Sequence, residues 1–370
     1  MSMVYSEDDR MLADTAEEFL AAQSPVSAQR ALRDSEDPLN FDPEIWQQMM
    51  ELGWGAITFP EALGGLEFGY KGLGAVFEAM GKHLSASPML SSVVLCGSLL
   101  EQLADETQQD WLSAIMTGEK RLALAVDEQA RHKPEVIETQ VTDQEDGFLL
   151  HGQKTMVIDG VSPDGWIVAA KYQGNVSLFI VPFSTQVKVS RVKLIDSRNY
   201  ANLTFDNITL PSSALLGKAG DASNALDKAL DLGRLCLSSE LLGATKAIFA
   251  MTVEYLQVRE QFAVKIGTFQ ALQHRAAKCF IELELAQSTV ISALSKADNK
   301  AEDFAASVSL AKWKLSKVAD LISGEAIQMH GGIGVTDELD VGLYLKRIRV
   351  AQMKLGDIDF HQARYVQLTA

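Results

Sequence analysis

A chain of 370 residues with a formal net charge of −16 repels a nucleic-acid backbone, so any anionic ligand needs a local basic site. Hydrophobic residues at 47% and charged residues at 22% exclude wholesale disorder, and the length suits two or three domains. Cys96, Cys236 and Cys279 form no CxxC pair and no disulfide framework, and six histidines without HExxH argue against metal chemistry. No apolar run reads as a membrane span, and the opening "MSMVYSEDDRM" lacks the basic-then-apolar order of a signal peptide; a reducing cytoplasm is the expectation.

The first third reads as helices. Ser6 and Asp9 form a capping pair ahead of Met11, Leu12, Phe19 and Leu20 at helical spacing. "DPEIWQQMMELGWG" opens with a cap and a first-turn proline and stops on glycines, "FPEALGG" is turn chemistry, and more helix is predicted over about 72–118. After "GEKRLALAV" the texture changes to short apolar runs broken at glycines. "GWIVAAKYQGNVSLFIVPF" predicts a hairpin turning around Gly174-Asn175, and "ANLTFDNITL" another strand closed by Pro211. From about Ala222 long helices return. Leu230, Leu237, Leu241, Ile248 and Tyr255 make a packing seam, and further helices are predicted over 269–298, 301–329 and 342–355. The expected architecture is α+β and mostly α: a helical domain (1–118), an antiparallel β domain (119–217) and a helical bundle (218–370).

Four stretches carry candidate chemistry. In "QMHGGIGVTDE", Gly331 and Gly332 either stop a helix or let a ligand approach the backbone; the spacing is not a Rossmann fingerprint. In "VREQFAVKIGTFQALQH", Arg259 can clamp a phosphate and Phe262 can cover a planar ring, or the stretch is a solvated helix end. Arg234 falls on the apolar seam beside Gly233, which demands an internal ion pair or a ligand. "VAQMKLGDIDFHQAR" sets Asp357, Asp359 and His361 past a glycine, as an acid–base group or as a polar turn between helices.

The segments "LGWGAITFPEALGG", "VREQFAVKIGTFQALQH" and "QMHGGIGVTDE" resemble, in order, three signatures of the acyl-CoA dehydrogenase family. Within it the chain is most similar to the bacterial small-subunit, pimeloyl-CoA dehydrogenase-like type. The resemblance implies an N-terminal helical domain, a middle β-barrel domain and a C-terminal four-helix bundle. It also implies bound FAD, an acyl-CoA substrate, an electron acceptor such as an electron-transfer flavoprotein, and a homo- or heterotetramer built as a dimer of dimers. Carried over residue by residue, Arg259 meets the FAD pyrophosphate across a subunit interface, and Phe262, Gln270, Gln328, Gly331 and Gly332 line the same cofactor. Arg234 matches an arginine on the helix bordering the substrate.

The departures concern the base and the flavin ring. The family's glutamate slot holds Leu355, and a second known location, just before Arg234, holds Gly233. Asp357, two residues past the slot, is the first candidate replacement. Glu240, on the Gly233 face about 10 Å away, is the second. The flavin-contacting β motifs are replaced by "VDEQARHK", with Asp127 and Glu128, and "MVIDG", with Ile158. Three readings follow: a dehydrogenase with a relocated base, a subunit whose partner supplies the base, or a flavin-binding relative with other chemistry. Small residues at Gly233, Ser238 and Ser239 leave room for a bulky acyl group, such as a dicarboxylic or steroid side-chain thioester.

Overall fold

The computed structural model describes residues 5–184 and 186–370. Helix α1 (Glu7–Gln23) opens with the expected capping box: Ser6 Oγ accepts from Asp9 N at 3.0 Å, and Asp9 Oδ2 accepts from Ser6 N at 2.8 Å. After α2 (Val26–Ser35), Asp42 caps α3 (Pro43–Glu51) through Glu44 N and Ile45 N, and Gly53 ends it at φ 79°. The helix predicted over 72–118 is in pieces: α4 (Tyr70–Lys82), a π-helical stretch Met89–Cys96 running into α5 (Gly97–Leu103), and α6 (Gln109–Met116). Leu84 at φ 51° and Pro88, which cannot continue a helix, account for the first break.

The strands are β1 (Leu122–Ala125), β2 (Gln140–Gln144), β3 (Gly147–Ile158), β4 (Gly165–Tyr172), β5 (Asn175–Pro182), β6 (Lys188–Arg191), β7 (Tyr200–Pro211) and β8 (Leu215–Leu216). They form one sheet in the order β6-β7-β3-β2-β4-β5-β8, with β1 beside β4. Most ladders are antiparallel as expected, but β1 and β2 each run parallel to β4. The β4–β5 hairpin turns on Gln173 and Gly174, both at positive φ, one residue earlier than the sequence suggested. Its core joins Phe148 to Tyr172 and Phe179 edge-on, with ring centroids 5.4 and 5.3 Å apart.

Then come α7 (Ser223–Val258), a two-strand hairpin of β9 (Glu260–Gln261) and β10 (Val264–Lys265), α8 (Gln270–Asp298), α9 (Phe304–His330), α10 (Val341–Met353) and α11 (Ile358–Thr369). By length and composition α7 could cross a membrane, which the sequence reading missed. Yet 72% of its most apolar window is buried inside the protein, as in a core helix. Leu230, Leu237, Leu241 and Ile248 are all buried along it, and Tyr255 is half-buried. Helices α4 and α7 cross backbone to backbone: a Cβ on Gly81 would sit 1.8 Å from Glu240 O, and one on Gly243 1.8 Å from Glu78 O. Helix α4 lacks a cap of its own, and Asp298 of α8 supplies one, accepting from Tyr70 N at 2.5 Å.

The chain divides into two compact units. One holds the described residues of Met1–Arg30 with Gly69–Ser85 and Arg234–Ala370; the other holds Ala31–Phe68 and Ala86–Gly233, including the sheet.

Candidate active site

In the first unit, one end of the bundle is open. Tyr255 stacks on His330 at 4.5 Å, which brings the end of α7 beside the end of α9. Past α7, the β9–β10 hairpin turns on Phe262 and Ala263, at φ 54° and 61°. Glycine or asparagine normally fills such a turn, and an ordinary side chain there costs roughly 1–2 kcal/mol. Phe262 is 88% exposed and touches Phe269 only edge-on, at 6.2 Å. Arg259 beside it is exposed, and among the described residues no carboxylate pairs with it, whereas Lys265 is paired with Glu260 at 2.6 Å. Gln270 and Gln328 are also exposed here. Gly331 adopts φ 65°, ψ −142°, a glycine conformation, and a Cβ on Gly331 or Gly332 would meet nothing within 4 Å. Gly334 differs: its Cβ would strike His330 and Ile327, so it serves packing. An unpaired guanidinium, open glycine backbone, an exposed ring and two amides can hold an anionic heteroaromatic ligand.

The 354–357 turn, also in the first unit, is closed. Leu355 and Gly356 reverse the chain at φ 56° and 112°, and a Cβ on Gly356 would lie 2.4 Å from the Phe360 ring. Arg234, 1% exposed, donates from Nε to Leu355 O at 2.9 Å and lies over the Phe360 ring. Lys312 is fully buried, and its Nζ reaches Ala351 O, Gln352 O and Gly356 O at 3.0, 3.1 and 3.4 Å. Burial first, then the charges of Arg234 and Arg347, bring the Lys312 pKa down to about 7, against the pull of Asp357. Burial, with Lys312 and Arg234 close by, also keeps His361 neutral, its Nε2 3.2 Å from Leu355 O.

The two candidate carboxylates are both engaged. Asp357 caps α11, Oδ1 accepting from Phe360 N at 2.9 Å. Glu240, 5% exposed, is held by Arg347 Nε and a second guanidinium nitrogen at 2.8 and 2.9 Å. Arg234, expected at a substrate, is buried in this corner with its Nε on Leu355 O.

In the second unit, Asp127 accepts from Lys133 N and pairs with His132 Nδ1 at 2.9 Å, so its carboxylate is turned into its own loop. Glu128 binds Lys154 Nζ at 2.6 Å and the amides of Glu138 and Thr139. Burial raises its pKa, but the lysine and the amides outweigh that and hold it below the ordinary value. Ile158 pairs with Tyr200 across the β3–β7 ladder and offers no polar side-chain atom.

Lys312 and Arg347 were not found from the sequence. Lys312 had a signal: it shares an apolar helix face with Val308, Leu315 and Ala319, the same anomaly that singled out Arg234.

Two family descriptions match the chain: acyl-CoA dehydrogenase, N-terminal domain, over residues 6–119, and acyl-CoA dehydrogenase, C-terminal domain, over 223–365. The caffeyl-CoA reductase-Etf complex subunit CarC of Acetobacterium woodii is 28% identical over 97% of both chains. Acyl-CoA dehydrogenase FadE27 of Mycobacterium tuberculosis is 28% identical over 85% of each. A solved structure of the ChsE4-ChsE5 complex from Mycobacterium tuberculosis superposes with a TM-score of 0.89 at 26% identity, covering 99% of this chain and 98% of that one. With both family domains in order and relatives matched along nearly its full length, the chain belongs to the acyl-CoA dehydrogenase family.

Proposed function

We propose that this chain is the FAD-holding subunit of an acyl-CoA dehydrogenase, and that Asp357 is the base its own 354–357 turn offers. The observation that carries the proposal is the open bundle end, where Arg259, Gly331 and Gly332 leave a cation and bare backbone unused. These residues fit FAD: Arg259 would hold its pyrophosphate, with Phe262, Gln270 and Gln328 beside it. On the sheet, Asp127 and Glu128 are already bonded and Ile158 is apolar, so these three side chains offer a cofactor little. FAD, when bound, supplies the acceptor for the β-hydrogen of the acyl-CoA.

The α-proton needs a carboxylate. Asp357 Oδ1 is fixed by the Phe360 amide, which leaves Oδ2 to take a proton. Glu240 is set aside because protonating it would give up a doubly hydrogen-bonded ion pair with Arg347. The chain purified alone should be yellow, and Arg259→Ala should be colourless. With an acyl-CoA panel and an artificial electron acceptor, Asp357→Asn should lose on the order of a hundredfold in turnover. Full activity in that variant would remove Asp357 from the scheme.

A second reading is favoured by Leu355, a buried apolar side chain in the family's base slot. In it, a related second chain supplies the base within a heterotetramer that passes electrons to an electron-transfer flavoprotein. That CarC is named as a subunit of an Etf complex, and that ChsE4 and ChsE5 form a complex, support this reading. Activity appearing only on co-expression selects it. The proposal further takes the chain as cytoplasmic, in three domains at 1–118, 119–217 and 218–370. It takes the acyl group as bulky, since Ser238 and Ser239 turn their hydroxyls back to their own helix.

A further inference from the structure

We propose that Lys312 is a positioning residue for the 354–357 turn, and that its charge state sets whether the turn is held or released. The significance of the turn rests on the reading of it as the base-bearing segment. A methionine would fill the same space without burying an amine; what the lysine adds is N–H donors, all of them spent on carbonyls at the end of α10 and at Gly356. Among the described residues no carboxylate forms an ion pair with it. The groups facing it are Arg234 from α7 and Arg347 from α10, which repel its charge, Asp357 of the turn, which attracts it, and His361 from α11, which is neutral.

A neutral amine has two N–H groups, and two of the three contacts are short, at 3.0 and 3.1 Å, while the third is 3.4 Å. The neutral form therefore keeps the two short contacts to α10 and gives up only the longest, to Gly356 O. The charged form places a third cation beside two arginines, out of reach of bulk solvent, and opening the turn hydrates it. A group near 7 when closed and 10.5 when open makes closure more favourable as pH rises from about 7.

The test is hydrogen–deuterium exchange of the 350–361 segment in the chain without FAD or acyl-CoA, from pH 6 to 9, corrected for intrinsic rates. Protection should rise roughly tenfold or more across that range in the wild-type chain. Lys312→Met should abolish the slope, since it cannot titrate. Lys312→Arg, charged throughout, should abolish it too and be less protected than wild type at pH 9. A flat wild-type profile, or a slope that survives in Lys312→Met, overturns the proposal. Exchange is read without turnover, so a pH-linked turn in a chain whose Asp357→Asn variant keeps full activity would sink the base-bearing reading alone, and a flat turn in an enzyme that loses activity in that variant only this one.

Discussion

At the 354–357 turn Arg234, Lys312 and Asp357 are bonded to the main chain, while at the 259–262 hairpin and the end of α9 an arginine, an aromatic ring and two glycines are left unused. The two places lie on the same helices, about 27 Å apart along α9 from Lys312 to His330. The turn holds Asp357 and faces Arg234, which look catalytic in the sequence; both are bonded to the main chain, and Asp357 keeps Oδ2 over. The hairpin, which reads as a loop, keeps a strained and exposed Phe262 that folding alone does not explain. Unspent groups, more than charged ones, mark where a ligand belongs.

Four variants would break or sharpen this contrast. The largest effect is expected from Glu240→Gln, which removes the charge of a buried carboxylate doubly bonded to Arg347. Urea denaturation should show a loss of about 3–5 kcal/mol. Lys312→Met comes next, and its effect depends on pH. The folded chain sheds the Lys312 proton near 7 whereas the unfolded chain keeps it to 10.5, so wild-type stability should climb between those values. The melting temperature of wild type minus that of Lys312→Met should therefore grow from pH 6.5 to 9; a constant difference would remove the buried titration. Arg259→Ala should leave the melting curve of the cofactor-free chain in place but weaken FAD binding at least roughly tenfold in a flavin fluorescence titration. Smallest is Phe262→Asn, which relieves the positive φ and should stabilise the isolated chain by about 1 kcal/mol at most, while lowering FAD occupancy.

What could be read from the sequence was local. The Ser6–Asp9 box, the Asp42 cap, the β4–β5 hairpin and the α7 seam each depend on residues close in the chain, and all are present. The parallel pairing of β1 and β2 with β4 depends on register between separate strands, which side-chain alternation does not encode. The open end was legible because its motifs are contiguous. The fastened corner was not: Lys312 finds its carbonyls 39 to 44 residues away, and Glu240 its arginine 107 residues away. Asp127 is bonded by a histidine and an amide of its own loop, which its place in the motif does not announce.

Arg234 and Lys312 grip the corner through carbonyl oxygens, and a carbonyl is the same whichever residue carries it. The backbone course through Leu355 is thus guaranteed independently of what projects from that position. Leucine and glutamate are both unbranched at Cβ and meet the same cost at φ 56°. Exchanging one for the other would leave the turn's backbone bonds in place, with the cost falling on the burial of a carboxylate. In such a corner, architecture and reactivity are fixed by different atoms.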